Sequence, residues 1–369
     1  MNVSADCIRQ QISVLLTAWG LDPEGVRVTA EVMVETDLAG IDSHGISMLM
    51  QYDDLRRRGQ LRVGAAPRLV RENAVTALID ADTGLGHPAA VQGMRLAITK
   101  AQAAGIGAVA VINSAHFGAA GYYAALAAQQ GLIGLAMSTT RMVGVLPTRA
   151  SAPVLGTNPI AFAAPAGRHR PFLLDMSTST AAINKVKVYD LKGLPLPSGW
   201  ALDESGRPIV DSAVAMNYLF HRGVGGMTAL GATEEMGSHK GYGLAMMVQI
   251  LAGTLGGASF SPLRNRTQKP GEPDNIGHFF LALNPDSFRA PGEFESDLDA
   301  AIDVLHATPA CDPALPVLVA GDPEASARER RQREGVPIPP ALAEKIRALC
   351  ARCGVPYLLE GGGGSGAGA

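Results

Sequence analysis

"VTALIDADTGLGHPAAVQGMRLAITKAQAAGIGAVAVIN", residues 75–113, decides the fold class. "VTALIDAD" (75–82) is strand-like, "PAAVQGMRLAITKAQAAG" (88–105) has helical periodicity, and "IGAVAVIN" (106–113) is the short apolar run of a buried strand. Downstream, "AAGYYAALAAQQ" (119–130) reads as a helix and "LIGLAMST" (132–139) as a strand, so an α/β core is predicted. Between the first strand and its helix lies Gly84-Leu85-Gly86-His87-Pro88-Ala89, a G-x-G-x-x-A match in the context of a dinucleotide-binding loop. Two features speak against that loop. The acid that should follow about twenty residues on to hold a ribose hydroxyl is missing, because no Asp or Glu occurs from Thr83 to Leu174. Pro88 also removes an amide donor from the turn. A doubly wound dinucleotide sheet is therefore not the expected fold.

The same acid-free window carries Arg95, Lys100, Arg141, Arg149, Arg168 and Arg170. Six bases and no acids suit a polyanionic small molecule, although an Ala/Gly-rich core segment would read alike. Over all 369 residues the formal charge is only -3, with 47% hydrophobic and 18% charged residues, which excludes disorder and gives no reason to expect nucleic acid or an anionic membrane as partner. The N-terminal "MNVSADCIRQ" lacks a basic cluster followed by an apolar run, so a cytoplasmic location is expected. Cys350 and Cys353 form a C-x-x-C, but Cys7 and Cys311 make no second pair, and no metal is expected. Residues 241–260, "GYGLAMMVQILAGTLGGASF", are long enough to span a bilayer, but their glycines and the His-Lys pair before them favour a buried core helix.

Farther out, the first 60 residues read as helices: Asp22 fits an N-cap, Pro23 the first helical position and Gly40 a C-terminal stop. "PIAFAAP" (159–165), "PFLLDMS" (171–177) and "IGHFFLALNP" (276–285) are strand-like. Helices are predicted near 181–190, from about 239, at 294–307, through "PEASARERRQREG" and at 340–352, with a short strand at 316–320. "KGLPLPSGWALDESGRP" reads as a surface connector.

Three histidines stand in polar or glycine-rich junctions: His44 in "DSHG", His116 in "NSAHFGAAGYY" and His239 in "GSHKGYGL". Asp42, Ser43 and His44 cannot serve one another as a hydrolytic triad, because adjacent side chains diverge, and no G-x-S-x-G is present. Reversible hydride transfer to a carbonyl or imine suits the set better. It needs a proton donor titrating near neutrality and a cradle for a polyanionic nucleotide, for which "LGTNP" (155–159), "DMSTST" (175–180), Lys185 and Lys240 are candidates.

"DSHG", "NSAHFGAAGYY", "VLGTNPIAFAAP", "LDMSTS", "GSHKGYGLAMM", "GHFFLALNP" and "DPEASARERRQREGVPIP" together resemble the malate/L-lactate dehydrogenase family unrelated to Rossmann dehydrogenases, from about residue 5 to 355. Its members include ureidoglycolate, sulfolactate and diketogulonate oxidoreductases and a piperideine/pyrroline-2-carboxylate reductase. The resemblance implies a non-Rossmann α/β fold: a helical segment at 1–70 bearing the acid/base histidine, an α/β cofactor- and substrate-binding region at 71–285, a helical segment at 286–358 returning to the N-terminal part, and a glycine-rich tail at 359–369. It also implies a homodimer, a small-molecule substrate and NAD(H) or NADP(H) as hydride carrier. By the same resemblance His44 is the acid/base, Ser43 and Asp175 its relay and orienting partners, and His116 a second candidate. Thr157 would face the substrate, and Thr140, Asp175, Ser177, Lys185, His239, Lys240 and Gly241 would line the cofactor.

One departure bears on substrate. Four residues after the histidine, one helical turn on, the family usually has an arginine that can grip a carboxylate by two contacts; here stands Met48. Either Arg141 or Arg149 takes over the carboxylate, or the substrate carries none and Met48 lines an apolar pocket. The expected activity is therefore a ketone or imine reductase, or the matching dehydrogenase, on something other than plain malate or lactate. The alternatives are a malate/lactate-like 2-hydroxyacid dehydrogenase with a relocated arginine and a non-catalytic nucleotide-binding homologue.

Overall fold

A computed structural model describes residues 1–360; the tail from 361 to 369 lies outside the described residues. The chain begins with strand β1 (Asn2–Val3) and helices α1 (Ala5–Trp19), α2 (Pro23–Leu38) and α3 (Leu49–Arg57). Asp22 caps α2 by accepting the Gly25 N–H at 2.9 Å, with Pro23 beside it, a cap worth about 1 kcal/mol. Gly40, at φ 86°, ends the helix where predicted.

The seven-stranded sheet contains β2 (Arg68–Glu72), β3 (Thr76–Asp80), β4 (Ile106–Ser114) and β5 (Ile133–Ser138), with α4 (Gly86–Ala104) and α5 (Ala120–Ala128) between them. After the short β6 (Val145–Leu146), it is joined by β7 (Ile160–Ala164) and β8 (Phe172–Met176). A smaller region follows, with α6 (Ile183–Leu191), β9 (Ala201–Leu202), α7 (Ser212–His221), β10 (Gly226–Thr228), α8 (Ser238–Val248) and α9 (Ser261–Thr267). Then come β11 (Ile276–Leu283), α10 (Glu293–Ala307), α11 (Asp322–Glu334), β12 (Val336–Pro337) and α12 (Pro340–Cys353).

The strand order is β2-β3-β4-β11-β5-β7-β8, and only β3 and β4 run parallel. Residues 75–113 thus form a single β-α-β unit, after which β11 inserts antiparallel between β4 and β5. A doubly wound sheet is ruled out by this order. Gly86 explains the misleading motif: a Cβ there would fall 2.5 Å from the Ala115 carbonyl oxygen and 2.8 Å from that of His116. The glycine is demanded by close backbone packing, and carbonyl oxygens occupy the space a pyrophosphate would need.

Helices α1, α2, α3 and α12 share one core, built on Ile8, Leu15, Met33, Leu49, Tyr52 and Ile346. Leu359, assigned from sequence to the tail, is buried there too. The C-x-x-C thiols belong to this core as hydrogen-bond acceptors, Cys350 from Gln11 and Cys353 from Trp19. β1 pairs with β12, so the two ends of the chain are stitched together.

Three expectations are corrected. Residues 316–320 form no strand; one backbone contact, Leu173 N–H to the Ala320 carbonyl, is what they give the sheet. The supposed surface connector supplies β9 and Leu196 to the core of the smaller region, with Trp200 packed against it, because its apolar residues meet β10 and α7 there. The apolar run from 239, expected as a buried core helix, is α8 continued by a π-helical stretch, Gln249–Thr254, that leaves Ile250 and Leu255 exposed; as expected, no helix of the described residues is long and apolar enough to cross a membrane.

Candidate active site

The segment "DSHG" works as four separate parts. Asp42 pairs with Arg331 of α11, which also donates to the Asp37 carbonyl at 2.6 Å. Ser43 Oγ and His44 Nδ1 are hydrogen-bonded at 2.7 Å. Gly45 lies against the buried Asp37 carboxylate, which accepts the Ile46 N–H at 2.8 Å and leaves no room for a Cβ. Burial pushes that carboxyl up to about 7, against the Ile46 amide and Arg331, which favour the ionised form. The 3-10 turn Ile46–Met48 starts only after His44. His44 and Met48 are therefore not stacked on one α-helical face as the four-residue spacing suggested, because Gly45 takes a non-helical φ of -93° and ψ of -137°. Met48 packs on the core of α1, α2, α3 and α12.

His116 comes to the same place from the loop between β4 and α5. Its ring centroid is 5.3 Å from that of His44. Tyr52 of α3, fully buried, places its Oη 2.8 Å from His116 Nδ1, and the Gly118 N–H donates to the same nitrogen at 3.3 Å. Burial pushes the imidazole of His44 below its ordinary range and that of His116 well below it, with the neighbouring His44, His87 and His278 adding to the effect on His116. Two neutral imidazoles result, each with one nitrogen tied to a hydroxyl and no protein partner for its Nε2 among the described residues.

Behind them a polar chain crosses the sheet. His278 of β11 bridges Ser138 of β5 (2.9 Å) and Ser114 of β4 (2.8 Å) and stacks on Phe117 at 4.5 Å. Burial holds it at a pKa of about 3, so it is a neutral structural bridge.

A second group of designated residues gathers around β10. The Thr140 hydroxyl reaches Asn158 Oδ1 at 3.3 Å, and Asn158 donates to the Ala245 carbonyl of α8 at 2.9 Å. The Thr157 carbonyl accepts from the Thr178 amide at 2.8 Å, and Ser177 meets Ser179 at 3.0 Å. Gly241 packs so closely on Leu230 that a Cβ would fall 2.3 Å from its carbonyl oxygen. Two helices begin here without a side-chain cap and without an acid in the first turn: α6, carrying Lys185, and α8, carrying His239 and Lys240. Cations at a helix N-terminus oppose the helix dipole unless an anion joins them. All three side chains are exposed, and neither lysine makes an ion pair among the described residues. These ends suit a dinucleotide's phosphates; the loop at Gly86 does not.

Other designated residues fall elsewhere. Asp175, expected to orient His44, instead accepts the Gly121 N–H at the start of α5 (2.7 Å), and the absent Gly121 Cβ makes the room. Burial pushes its carboxyl up to about 6, the Gly121 amide pulling the other way. The hydroxyl of Ser43, not the Asp175 carboxylate, is hydrogen-bonded with His44 Nδ1. Arg141 is held by Asp274 at 2.9 Å and Arg149 by Glu234 at 2.6 Å.

The whole basic window behaves this way, since Arg95, Lys100, Arg168 and Arg170 pair with Glu24, Glu72, Asp303 and Glu329. The local excess of charge is neutralised by acids distant in sequence and forms no cationic site of its own. A cleft of about 610 Å³, lined by Leu21, Val28, Leu69, Leu85, Pro88 and Val91, contains none of the designated residues. Sequence reasoning missed Tyr52, His87 and Asp37. Tyr52 had a signal, a tyrosine one turn into the helix that follows "DSHG"; the other two had none.

The chain matches the family described as malate/L-lactate dehydrogenase over residues 3–347. A malate dehydrogenase of Pyrococcus horikoshii is 36% identical over 359 residues, 97% of each chain. The crystal structure of malate dehydrogenase from Entamoeba histolytica superposes with a TM-score of 0.91 at 32% identity, covering 96% of this chain and 99% of that one. A Δ1-piperideine-2-carboxylate reductase from Pseudomonas syringae superposes with a TM-score of 0.81 at 29% identity, covering 95% and 99%.

Proposed function

Because this chain belongs to the malate/L-lactate dehydrogenase family of oxidoreductases, we propose that it moves a hydride between NAD(H) or NADP(H) and a small carbonyl or imine, or the matching alcohol or amine. The observation that carries the reading is the His44–His116 pair, two neutral imidazoles with rings 5.3 Å apart, each with one nitrogen anchored and the other available. When bound, the nicotinamide supplies the hydride acceptor or donor.

The protein's own part is proton management and orientation. Neutral His44 takes the proton of an alcohol or amine through Nε2 while Ser43 holds Nδ1; in the reductive direction the protonated ring returns it. Lys185, His239 and Lys240, at the uncapped ends of α6 and α8, meet the cofactor's phosphates, and the Thr140, Thr157 and Ser177 loops line the space beside them. Asp175 fixes the start of α5, and with it the loop of His116, through Gly121.

We place the substrate outside plain malate and lactate. Met48 packs into apolar core, and Arg141 and Arg149, the candidates to replace a carboxylate-gripping arginine, are engaged by Asp274 and Glu234. A second copy covering the exposed Leu191, Met236, Ile250 and Leu255 fits the homodimer that the resemblance implies. The test follows nicotinamide absorbance at 340 nm with NADH and NADPH against 2-oxo acids, cyclic imines and uncharged ketones, for the wild type and Met48→Arg. The expected result is turnover of an imine or a ketone by the wild type and a shift towards 2-oxo acids in Met48→Arg. Activity confined to simple 2-oxo acids and identical in both proteins would refute the substrate reading.

A further inference from the structure

Tyr52 and His87 are buried polar residues outside the chemistry assigned so far. Both are fully buried, and the contacts that run from His87 through Tyr52 to His116 have a direction that can be worked out. The Gly118 backbone N–H can only donate, and it points at His116 Nδ1 from 3.3 Å. Nδ1 therefore carries a lone pair, and the proton of the neutral ring sits on Nε2. Tyr52 Oη, 2.8 Å from the same Nδ1, must then be the donor of that contact, which leaves its oxygen free to accept.

His87 Nε2 stands 3.5 Å from that oxygen, while His87 Nδ1 is buried with no partner. A proton on Nδ1 would be a buried donor without an acceptor; a proton on Nε2 faces Tyr52. The proton order is thus His87 Nε2–H to Tyr52 Oη–H to His116 Nδ1, with the His87 contact the weaker link at its length. Gly118, at φ 81°, is what lets the loop turn its amide onto the imidazole.

We propose that Tyr52, backed by His87, is a positioning residue that locks His116 in the Nε2–H tautomer, so that His116 meets the reacting group as a fixed hydrogen-bond donor and leaves proton exchange to His44. The proposal deepens the hydride-transfer reading by dividing labour between the two imidazoles. A donor aimed at a carbonyl oxygen or imine nitrogen stabilises the charge that develops there without itself changing charge.

The direct test needs no substrate. In protein labelled with 15N-histidine, His116 is assigned by the signals lost in His116→Asn, and its two nitrogens are read above pH 7. The expected result is an unprotonated Nδ1 and a protonated Nε2 in the wild type, with both signals drawn towards an average in Tyr52→Phe. A protonated Nδ1 in the wild type overturns the proposal. So does a Tyr52→Phe protein whose His116 signals do not move, even if its Tm falls, since Tyr52 would then be packing alone. With a turned-over substrate, Tyr52→Phe should lower kcat by about 10-fold or more and leave KM within about twofold. Should no substrate be found, the hydride reading falls while the tautomer measurement still stands.

Discussion

Two stretches of this chain are nearly the same text, "DSHG" at 42–45 and "GSHKG" at 237–241, and they fold into different surroundings. In the first, every neighbour of the histidine is tied down: Asp42 to Arg331, Ser43 to the imidazole, Gly45 against Asp37. In the second, Ser238 is buried and bonded to Thr148 at 3.0 Å, while His239 and Lys240 project from the first turn of α8 into solvent. A histidine held by its neighbours is suited to exchanging protons at one spot. A histidine on a free helix end is suited to carrying charge towards a ligand.

The largest expected effect separates these two roles. His44→Ala should lower kcat by about 10²- to 10⁴-fold, the usual worth of a positioned general base, with nucleotide affinity retained in a fluorescence titration. His239→Ala should leave kcat within an order of magnitude and weaken the nucleotide. Equal losses of kcat in both variants would erase the distinction, and full turnover in His44→Ala would remove the chemical centre.

What the two stretches share is their glycine. A Cβ on Gly45 would sit 1.8 Å from Asp37 Oδ1, and one on Gly241 would sit 2.3 Å from the Leu230 carbonyl oxygen. Gly45→Ala and Gly241→Ala should each cost about 3 kcal/mol in urea unfolding, the upper end of overpacking. Gly45→Ala should also lose turnover at temperatures where it remains folded, because its damage falls beside His44. An unchanged urea midpoint in Gly45→Ala would show that Asp37 is free to move aside.

This pair of motifs also shows how far the sequence could be read. The β-α-β unit at 75–113 was legible because strand and helix periodicities are local, and so was the failure of Gly84–Ala89 as a phosphate loop. The insertion of β11 between β4 and β5 was not, since no local signal states which strand a distant segment will pair with. His44 and His116 were found as junction residues, whereas His87 looked like part of a decoy motif and is instead a buried partner of Tyr52. Of the two partners expected for His44, Ser43 is hydrogen-bonded to it, whereas Asp175 accepts from the Gly121 amide instead. The basic window misled for the same reason, its neutralising acids lying on other elements.

The buried acid beneath Gly45 has no counterpart below Gly241, and pH exposes the difference. Asp37, pushed by burial to a folded pKa of about 7, holds a proton that the unfolded chain, near the ordinary carboxyl value of 3.8, has already lost. Its contribution therefore favours the folded state as pH falls from about 7 to about 4 and is lost as pH rises through 7. His87 and His278, at about 3 when folded, act the other way, since below about 6.5 the unfolded chain takes up protons that they refuse. In Asp37→Asn the compensating proton is gone, so stability should fall more steeply on acidification, by up to about 1.4 kcal/mol per pH unit. Parallel stability-against-pH curves for the two proteins would mean that Asp37 is ionised throughout, held by Arg331.

The smallest effect concerns the α8 side alone. Lys240 stands where the positive end of an uncapped helix dipole repels it, so in the free protein it is a mild liability of about 0.3 to 1 kcal/mol. A bound phosphate reverses the sign, because dipole and ammonium then act on the same anion. Lys240→Ala should accordingly leave the Tm of the free protein unchanged or slightly raised, and weaken NAD(P)H binding by about 1 kcal/mol at low salt, a deficit that shrinks as salt is added. The two readings together are the discriminating result. A Lys240→Ala protein that is less stable yet binds the dinucleotide as well as the wild type would make this helix end ordinary surface, and the phosphates would have to be sought at Lys185 on α6 instead.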